Sequence, residues 1–115
     1  MFTPRTVLLV ASVAMGALEI ADGFRLELPW MAWFFAALFL IGSWWLYRTT
    51  GRRPVVLLGV LHLFELVMLI FVFRTAEQAP PAALWWLFVV ITAVGTAAAA
   101  WILVARRGAL TTPPP

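Results

Sequence analysis

The sequence predicts an all-α membrane protein, a bundle of four transmembrane helices connected up-down-up-down with both termini in the cytoplasm. Composition is the first reason. Of 115 residues, 64% are hydrophobic and 11% are charged, and the mean hydropathy is +1.00. A water-soluble domain of this size leaves much of its surface in solvent and could not cover so much apolar area. We therefore expect the lipid bilayer to surround most of the chain.

Four long uncharged or nearly uncharged stretches are the second reason. A bilayer core about 30 Å thick requires about 20 helical residues to cross it. Stretches of this length predict helices at about 6–22, 29–47, 54–73 and 82–105, within a single domain of residues 1–107. The short links between them contain Gly23, Pro29, Gly51 and Pro80, and short links make consecutive helices antiparallel neighbours. The proline-rich tail, residues 108–115, is expected to be disordered.

The first helix has an alternative interpretation as a cleaved signal peptide. Arg5 would then be the basic start and residues 7–11 the apolar part, with a cleavage site at residues 12–14. Three membrane helices would remain. However, the apolar run continues to Leu18 without the polar segment that precedes a cleavage site, which favours a retained helix.

The distribution of arginine is the third reason, because it predicts the orientation. All eight basic residues are arginine. In a four-span chain, one side carries Arg5, Arg48, Arg52, Arg53, Arg106 and Arg107, whereas the other carries Arg25 and Arg74 together with Asp22, Glu27 and Glu77. Basic loops stay in the cytoplasm, so both termini are predicted to be inside. The composition, rich in Ala, Arg, Trp and Pro and without lysine, also indicates a bacterial inner membrane.

Tryptophan and small residues complete the description of the helices. Aromatic belts at the headgroup level are predicted from Trp30, Trp33, Trp44, Trp45, Trp85 and Trp86, which lie near helix ends. Close helix packing, within the bundle or between chains, is predicted at Ser12, Gly16, Gly59, Ala93, Gly95 and Ala99. The aromatic and charged residues around the first and third links are similar, which indicates either a duplicated hairpin or ordinary loop chemistry.

Three ionisable residues fall within the predicted spans, where each costs about 2.5 to 3.5 kcal/mol at a helix centre. His62 and Glu65 are three residues apart and share one face of the third helix, and Glu19 lies near the end of the first. If these helices touch, the three side chains form one polar pocket. This pattern predicts a proton or cation site, or the alternative, polar side chains that only hold helices together.

Other chemistry has less support in the sequence. The absence of cysteine excludes disulfides and thiolate metal sites. His62 with two carboxylates provides the ligand types of a non-haem iron site, but the repeated Glu-x-x-His pairs of di-iron bundles are missing. No nucleophile constellation or phosphate-binding loop is present, so an enzyme is less favoured than a transporter or an accessory subunit, and we expect no catalytic residue, no metal and no cofactor. The arginines lie mostly in short runs between apolar stretches, which is typical of membrane orientation and not of nucleic acid binding.

Four predicted helices in a chain this short, with Glu19 in the first, resemble the small multidrug resistance transporters, which work as dimers around such a carboxylate. The third helix departs from that family, because it has no tryptophan and no glycine-rich stretch and instead contains His62 and Glu65. The resemblance implies that a bundle this small can transport as a dimer. We therefore expect a proton- or cation-coupled transporter component that works as an oligomer. The alternative is a non-catalytic accessory subunit of a larger membrane complex.

Overall fold

The computed structural model describes residues 3–26, 28–72 and 80–111, the last six of them through their backbone alone. Four α-helices account for nearly all of these residues: α1 (Pro4–Gly23), α2 (Trp30–Arg48), α3 (Arg53–Phe71) and α4 (Ala82–Thr111). Each is long and apolar enough to cross a membrane. The prediction of an all-helical protein with four candidate membrane spans is confirmed.

The helix ends differ from the predicted ones by a few residues. The largest difference is in α4, which continues to Thr111 and so includes residues 108–111 of the predicted tail. Ala109 and Leu110 are good helix formers, and the first helix-breaking proline after them is Pro113. Five predicted features lie outside the described residues: Glu27, Phe73, Arg74, Glu77 and the end of the tail, residues 112–115.

The start of α1 is set by a cap that the hydropathy pattern does not reveal. Pro4 occupies the first turn, where a missing N–H costs nothing. Thr3 precedes it in an extended conformation, and its side-chain oxygen accepts a hydrogen bond from the backbone N–H of Thr6 at 3.1 Å. Such an N-cap satisfies one of the unpaired donors of the first turn. The helix therefore begins two residues before its predicted start.

Arg5 connects the start of α1 to the end of α2. Its guanidinium donates to the carbonyl oxygens of Leu46 at 3.1 Å and Gly51 at 3.5 Å, and also to that of Thr49. The last carbonyls of a helix have no partner within the helix and carry partial negative charge, so a cation there is stabilising. Arg5 thus caps the C-terminal end of α2. The sequence analysis predicts a different role for it, as a positive charge that keeps the N-terminus in the cytoplasm.

Tryptophan side chains join the helices of each sequential pair. The indole N–H of Trp33, the fourth residue of α2, donates to the carbonyl of Ile20 in the last turn of α1 at 3.2 Å. Likewise, Trp85, the fourth residue of α4, donates to the carbonyl of Leu69 in the last turn of α3 at 2.9 Å. The α1–α2 and α3–α4 pairs therefore share one capping device, which is a structural counterpart of the similar links in the sequence.

The other predicted anchors are mostly on the outside of the bundle. Trp30, Trp44 and Trp86 are each more than 60% exposed, and Trp33 and Trp45 are about 40% exposed, whereas Trp85 is partly buried. Large apolar side chains cover the rest of the outer surface. An indole exposed near a helix end is suited to the headgroup region, so the belt remains a prediction with compatible geometry.

The four helices pack unequally. α1 lies mainly against α2 and α4, and α3 lies mainly against α4. The α2–α3 contact is smaller, α1 and α3 touch at few points, and α2 and α4 do not touch among the described residues. α1 and α3 are therefore the diagonal pair that meets across the core. Leu8, Met15, Phe39, Val55 and Leu58 are fully buried between the helices. The loose α2–α3 seam is the weakest side of the bundle.

Small residues allow the close approaches that the sequence predicts at several points. A Cβ atom on Gly59 would lie 2.9 Å from the Cβ of Ala99, so α3 and α4 are in near-backbone contact there. On Gly16 it would lie 2.6 Å from the side chain of Leu40 in α2. Ala93, by contrast, is exposed on the surface of α4.

Candidate functional site

A cavity of about 320 Å³ lies at one end of the bundle. Residues at the ends of α1 and α3, the start of α2 and the region just before and within α4 form its walls. Most of this wall is apolar, and four aromatic and two methionine side chains contribute to it: Trp30, Phe35, Phe64, Phe88, Met31 and Met68. The charged groups of the wall are Glu19, Glu65, Asp22 and Arg25. An apolar pocket with few polar groups is typical of a small-molecule site.

Glu19 and Glu65 meet inside this cavity. They come from α1 and α3, the diagonal helices, and are only 7% and 6% exposed. Both side chains line the cavity wall, so the two carboxyl groups are neighbours. Because two carboxylates have only acceptor atoms, a hydrogen bond between such neighbours requires a proton on one of the two groups. The pair is therefore a place where the protein can hold and release a proton.

Asp22 and Arg25 form an ion pair near Glu19 and Glu65. Arg25 Nε donates to Asp22 Oδ1 at 2.8 Å, and the two residues of this ion pair are three apart in the sequence. Asp22 also lines the cavity, together with Glu19 and Glu65. Three acidic groups and one arginine thus give this end of the cavity a negative balance, which favours a cation over an anion.

His62 lies one turn from Glu65 on α3, in a different environment. It is completely buried and is not part of the cavity wall. Its Nε2 is 3.0 Å from the hydroxyl oxygen of Ser12 on α1. Its ring is 4.9 Å from that of Phe39 on α2, and Gly95 on α4 lies so close that a Cβ there would be 2.5 Å from the ring. One side chain of α3 therefore contacts all three other helices.

One polar atom of His62 has no hydrogen-bond partner among the described residues. This atom is Nδ1, which is buried. A buried unpaired nitrogen costs about 1–3 kcal/mol, and such groups are uncommon in folded proteins. Of the two ring nitrogens of His62, the described residues therefore provide a hydrogen bond to Nε2 alone.

The structure groups the predicted site residues differently from the sequence prediction. Glu19 and Glu65 come together in the cavity, whereas His62 pairs with Ser12, a residue singled out only for packing. The aromatic walls were missed, because Phe35 and Phe64 are apolar residues in an apolar sequence and nothing marks them. The spacing of Asp22 and Arg25, three apart on a helical end, is the signal that would have revealed their ion pair.

The metal alternative has no geometric support in the described part of the chain. Within residues 3–26, 28–72 and 80–105, no three His, Asp or Glu side chains are arranged to hold a metal ion. Glu19 and Glu65 alone offer two carboxyl groups. Ligands for a resident metal ion usually number four or more, some of them supplied by water or backbone.

Comparison with protein families, curated proteins and solved structures finds no match to this chain.

Proposed function

We propose that this protein is a transporter component of the plasma membrane, in which the Glu19–Glu65 pair exchanges a proton for a cationic solute. The observation that carries the proposal is the position of the pair. Two carboxyl groups from diagonal helices meet in a cavity of about 320 Å³ within the apolar bundle. A cation that enters this cavity competes with the shared proton, since either one can compensate the negative charge.

The cost of placing two glutamates within a membrane favours a functional pair over a purely structural one. Ionisable groups within a membrane are costly, and polar contacts between helices contribute only about 0.6 kcal/mol each on average. A serine or threonine pair would join α1 to α3 at lower cost. Binding and release of charge therefore accounts better for two glutamates that border a cavity.

The proposed orientation has both termini in the cytoplasm and the helices alternating up and down. The cavity walls combine the last turns of α1 and α3 with the first turns of α2 and α4, as alternation requires. Arg48, Arg52 and Arg53 belong to the opposite end. By the positive-inside rule, that end faces the cytoplasm and the cavity opens to the outside.

The proposed working unit is an oligomer, although one chain encloses the cavity. Both glutamates and all the walls described above belong to a single chain. A dimer would therefore serve movement or stability, not completion of the binding site. This differs from the arrangement that the resemblance to small multidrug resistance transporters implies.

An accessory subunit of a larger membrane complex is the second candidate function. The observation in its favour is an exposed strip of small residues on α4, formed by Ala93, Ala97 and Ala100. Spaced four and three residues apart, they share one helix face and would allow another helix to approach closely. Purification in a mild detergent distinguishes the two candidates: a stoichiometric larger partner supports the accessory role.

Proton exchange in liposomes tests the transporter directly. Purified protein is reconstituted with a pH-sensitive dye inside, and the internal pH is followed after addition of sodium, potassium or organic ammonium salts. We expect at least one cation to drive proton movement. Glu19→Gln and Glu65→Gln should each lower the rate at least about tenfold. Each substitution replaces one of the two carboxyl groups that exchange the proton with an amide, which does not take up or release a proton at working pH.

Ser43→Ala is the matched control, since Ser43 is also a buried polar residue but donates, among the described residues, to the Phe39 carbonyl of its own helix. Its rate should equal that of the wild type. The transporter proposal fails if no cation moves protons through folded wild-type protein, or if both glutamine variants keep the full rate.

A further inference from the structure

We propose that the end of the bundle opposite the cavity binds an anionic phospholipid through an arginine cluster, which consists of Arg48, Arg52 and Arg53. This inference goes beyond the proposed transport, because it concerns a separate surface and does not depend on the glutamate pair. Three features of the structure lead to it: the uncompensated charge of this end, the position of Arg48 on the side of the bundle and the apolar surface next to it.

The arginine cluster carries positive charge that no described acidic side chain compensates. Arg48 ends α2, and Arg52 and Arg53 stand at the start of α3. All three are exposed, and among the described residues their side chains form no hydrogen bond or ion pair. The acidic side chains that the structure describes all line the cavity at the other end. A partner with negative charge therefore suits the arginine cluster.

The carbonyl groups at the end of α2 do not reduce this charge. The last carbonyls of a helix carry partial negative charge, which a nearby arginine can neutralise. Here Arg5 has that role, because its guanidinium donates to the carbonyl oxygens of Leu46, Thr49 and Gly51. The arginine cluster is thus left without a partner from the described backbone as well.

Arg48 places one guanidinium of the cluster on the lateral surface of the bundle. Its Cζ lies 5.3 Å from the centroid of the Trp44 ring. That ring is 61% exposed and is next to Tyr47, which is also exposed, with centroids 6.1 Å apart. A cation is attracted to an aromatic face, and an exposed indole near a helix end is suited to the headgroup region. Arg48 is therefore held at the level where the phosphate of a neighbouring lipid would lie.

Apolar side chains continue from the arginine cluster along both helices. Ile41 on α2 and Val56 and Val60 on α3 are exposed on the outer surface. A lipid that covers this surface with its acyl chains brings its phosphate to the arginines, whereas a soluble acidic protein could approach only from the water. A zwitterionic headgroup carries its own compensating cation. The combination of charge and apolar surface therefore fits an anionic phospholipid.

The proposed orientation gives this lipid a source. With both termini in the cytoplasm, the arginine cluster faces the cytoplasmic leaflet, whose surface is negatively charged. Near such a surface each arginine contributes about fivefold to binding. We therefore expect three arginines to favour an anionic over a zwitterionic lipid by at least about tenfold.

Lipid selection by the purified protein tests the inference. The protein is equilibrated in detergent with equal amounts of phosphatidylglycerol and phosphatidylcholine of the same acyl chains, and bound lipid is counted by native mass spectrometry. The wild type should retain at least about tenfold more phosphatidylglycerol. The triple variant Arg48→Gln, Arg52→Gln, Arg53→Gln should bind the two lipids equally. Equal binding by the wild type, or a preference that survives in the triple variant, overturns the inference.

Two control proteins separate the arginine cluster from positive charge elsewhere and from loss of fold. Arg25→Gln removes a positive charge at the other end, where Arg25 pairs with Asp22, and should keep the preference. The variant Arg48→Lys, Arg52→Lys, Arg53→Lys preserves the charge and should keep most of the preference. If the lysine variant has its full helix content and no preference, charge does not hold the lipid and the inference is wrong.

Soluble competitors distinguish a lipid from a free phosphate compound or an acidic protein. Glycerol 3-phosphate has the head of the lipid without its chains, and polyglutamate provides negative charge alone. We expect neither, in large excess, to displace phosphatidylglycerol from the wild type. Displacement by glycerol 3-phosphate would assign the arginine cluster to free phosphate compounds, and displacement by polyglutamate would assign it to an acidic protein segment. Either result overturns the lipid as the partner.

Brominated lipids test where the lipid lies. Bromine on an acyl chain quenches the fluorescence of a tryptophan that it contacts, and Trp44 and Trp30 are similarly exposed, at 61% and 63%, at opposite ends of the bundle. At the same small mole fraction, brominated phosphatidylglycerol should quench the wild type more than brominated phosphatidylcholine does. Trp44→Phe should reduce this difference, and Trp30→Phe should leave it unchanged. The reverse result would place the anionic lipid at the cavity end and contradict the inference.

Discussion

At the scale of single residues, His62 shows how tightly polar and apolar contacts are combined in this bundle. Its Nε2 bonds to Ser12, and its ring packs on Phe39 and Gly95. Glycine is required at position 95 because the imidazole occupies the space of a side chain there. The residue is the meeting point of the four helices, so small changes around it should affect the stability of the whole fold.

Gly95→Ala should destabilise the protein. The added Cβ would lie 2.5 Å from the His62 ring, which is fully buried and cannot move aside easily. Overpacking of this kind costs about 1–3 kcal/mol. The free energy of unfolding, measured by denaturant titration in detergent, should fall accordingly. Gly51→Ala is the control, because no atom lies within 4 Å of its added Cβ; equal stability of the two variants would contradict the packing around His62.

Ser12→Ala should also destabilise the protein, by a polar mechanism. It removes the partner of His62 Nε2 and leaves both ring nitrogens without a hydrogen bond in a buried position. The expected loss is about 1–3 kcal/mol in the same titration. Thr92→Val is a matched control, since Thr92 is equally buried but bonds to carbonyls of its own helix. A neutral Ser12→Ala would show that the bond contributes nothing.

Single residues are also where the sequence predicts least. Glu19, His62 and Glu65 stand out because charge is rare in an apolar chain, and two of them do line the cavity. The sequence predicts that all three share one pocket if α1 and α3 touch, but it does not show which of them meet, because that depends on the rotation of α1 relative to α3. Phe35 and Phe64 carried no signal, since an aromatic residue in a membrane helix is equally expected on the lipid side.

At the scale of elements, caps set the helix ends and the links between neighbours. Hydropathy located the four spans well, because a run of about 20 apolar residues is typical of a membrane-spanning helix and rare elsewhere. It could not locate the Thr3 cap, or the indole bonds of Trp33 and Trp85 to the preceding helices. The cap and the indole bonds depend on the local geometry of individual turns, which a hydropathy value averaged over about 20 residues does not reveal.

Arg5→Gln should weaken the end of α2. The guanidinium bonds to carbonyls of Leu46, Thr49 and Gly51 would be lost, at a cost of about 1 kcal/mol. Hydrogen exchange at the last turn of α2 should become faster. Arg48→Gln removes the same charge from the same end and is the control, because Arg48 is exposed and contacts only the Trp44 ring in the described interactions. Equal exchange in both variants would show that charge, not capping, matters.

At the scale of the whole molecule, the helices pack unequally and leave a cavity at one end of the bundle. The Glu19–Glu65 cavity occupies the end where α1 and α3 finish. Toward the other end, Leu8, Leu46, Val55 and Leu58 are buried between the helices. Composition and hydropathy predicted the membrane class and the four helices. The cavity was not predictable, because the sequence does not show that α2 and α3 pack less closely than the other sequential pairs.

The proposed orientation predicts which single cysteines a reagent can reach. Gly51→Cys, between α2 and α3, should react with a membrane-impermeant maleimide only after the cells are opened, because arginine-rich links face the cytoplasm. Leu28→Cys, between α1 and α2, should react in intact cells. Labelling of both from the same side would contradict the alternating topology, and the reverse pattern would invert the orientation.

The proposed exchange requires a proton shared by Glu19 and Glu65, and infrared spectroscopy of the protein in lipid tests for this proton most directly. A protonated carboxyl group has a carbonyl stretch that a carboxylate lacks. At neutral pH we predict one such band in the wild type, altered by Glu19→Gln and by Glu65→Gln and lost in the double variant. A spectrum without a protonated carboxyl, or a band that neither substitution changes, would contradict the shared proton and with it the proposed exchange.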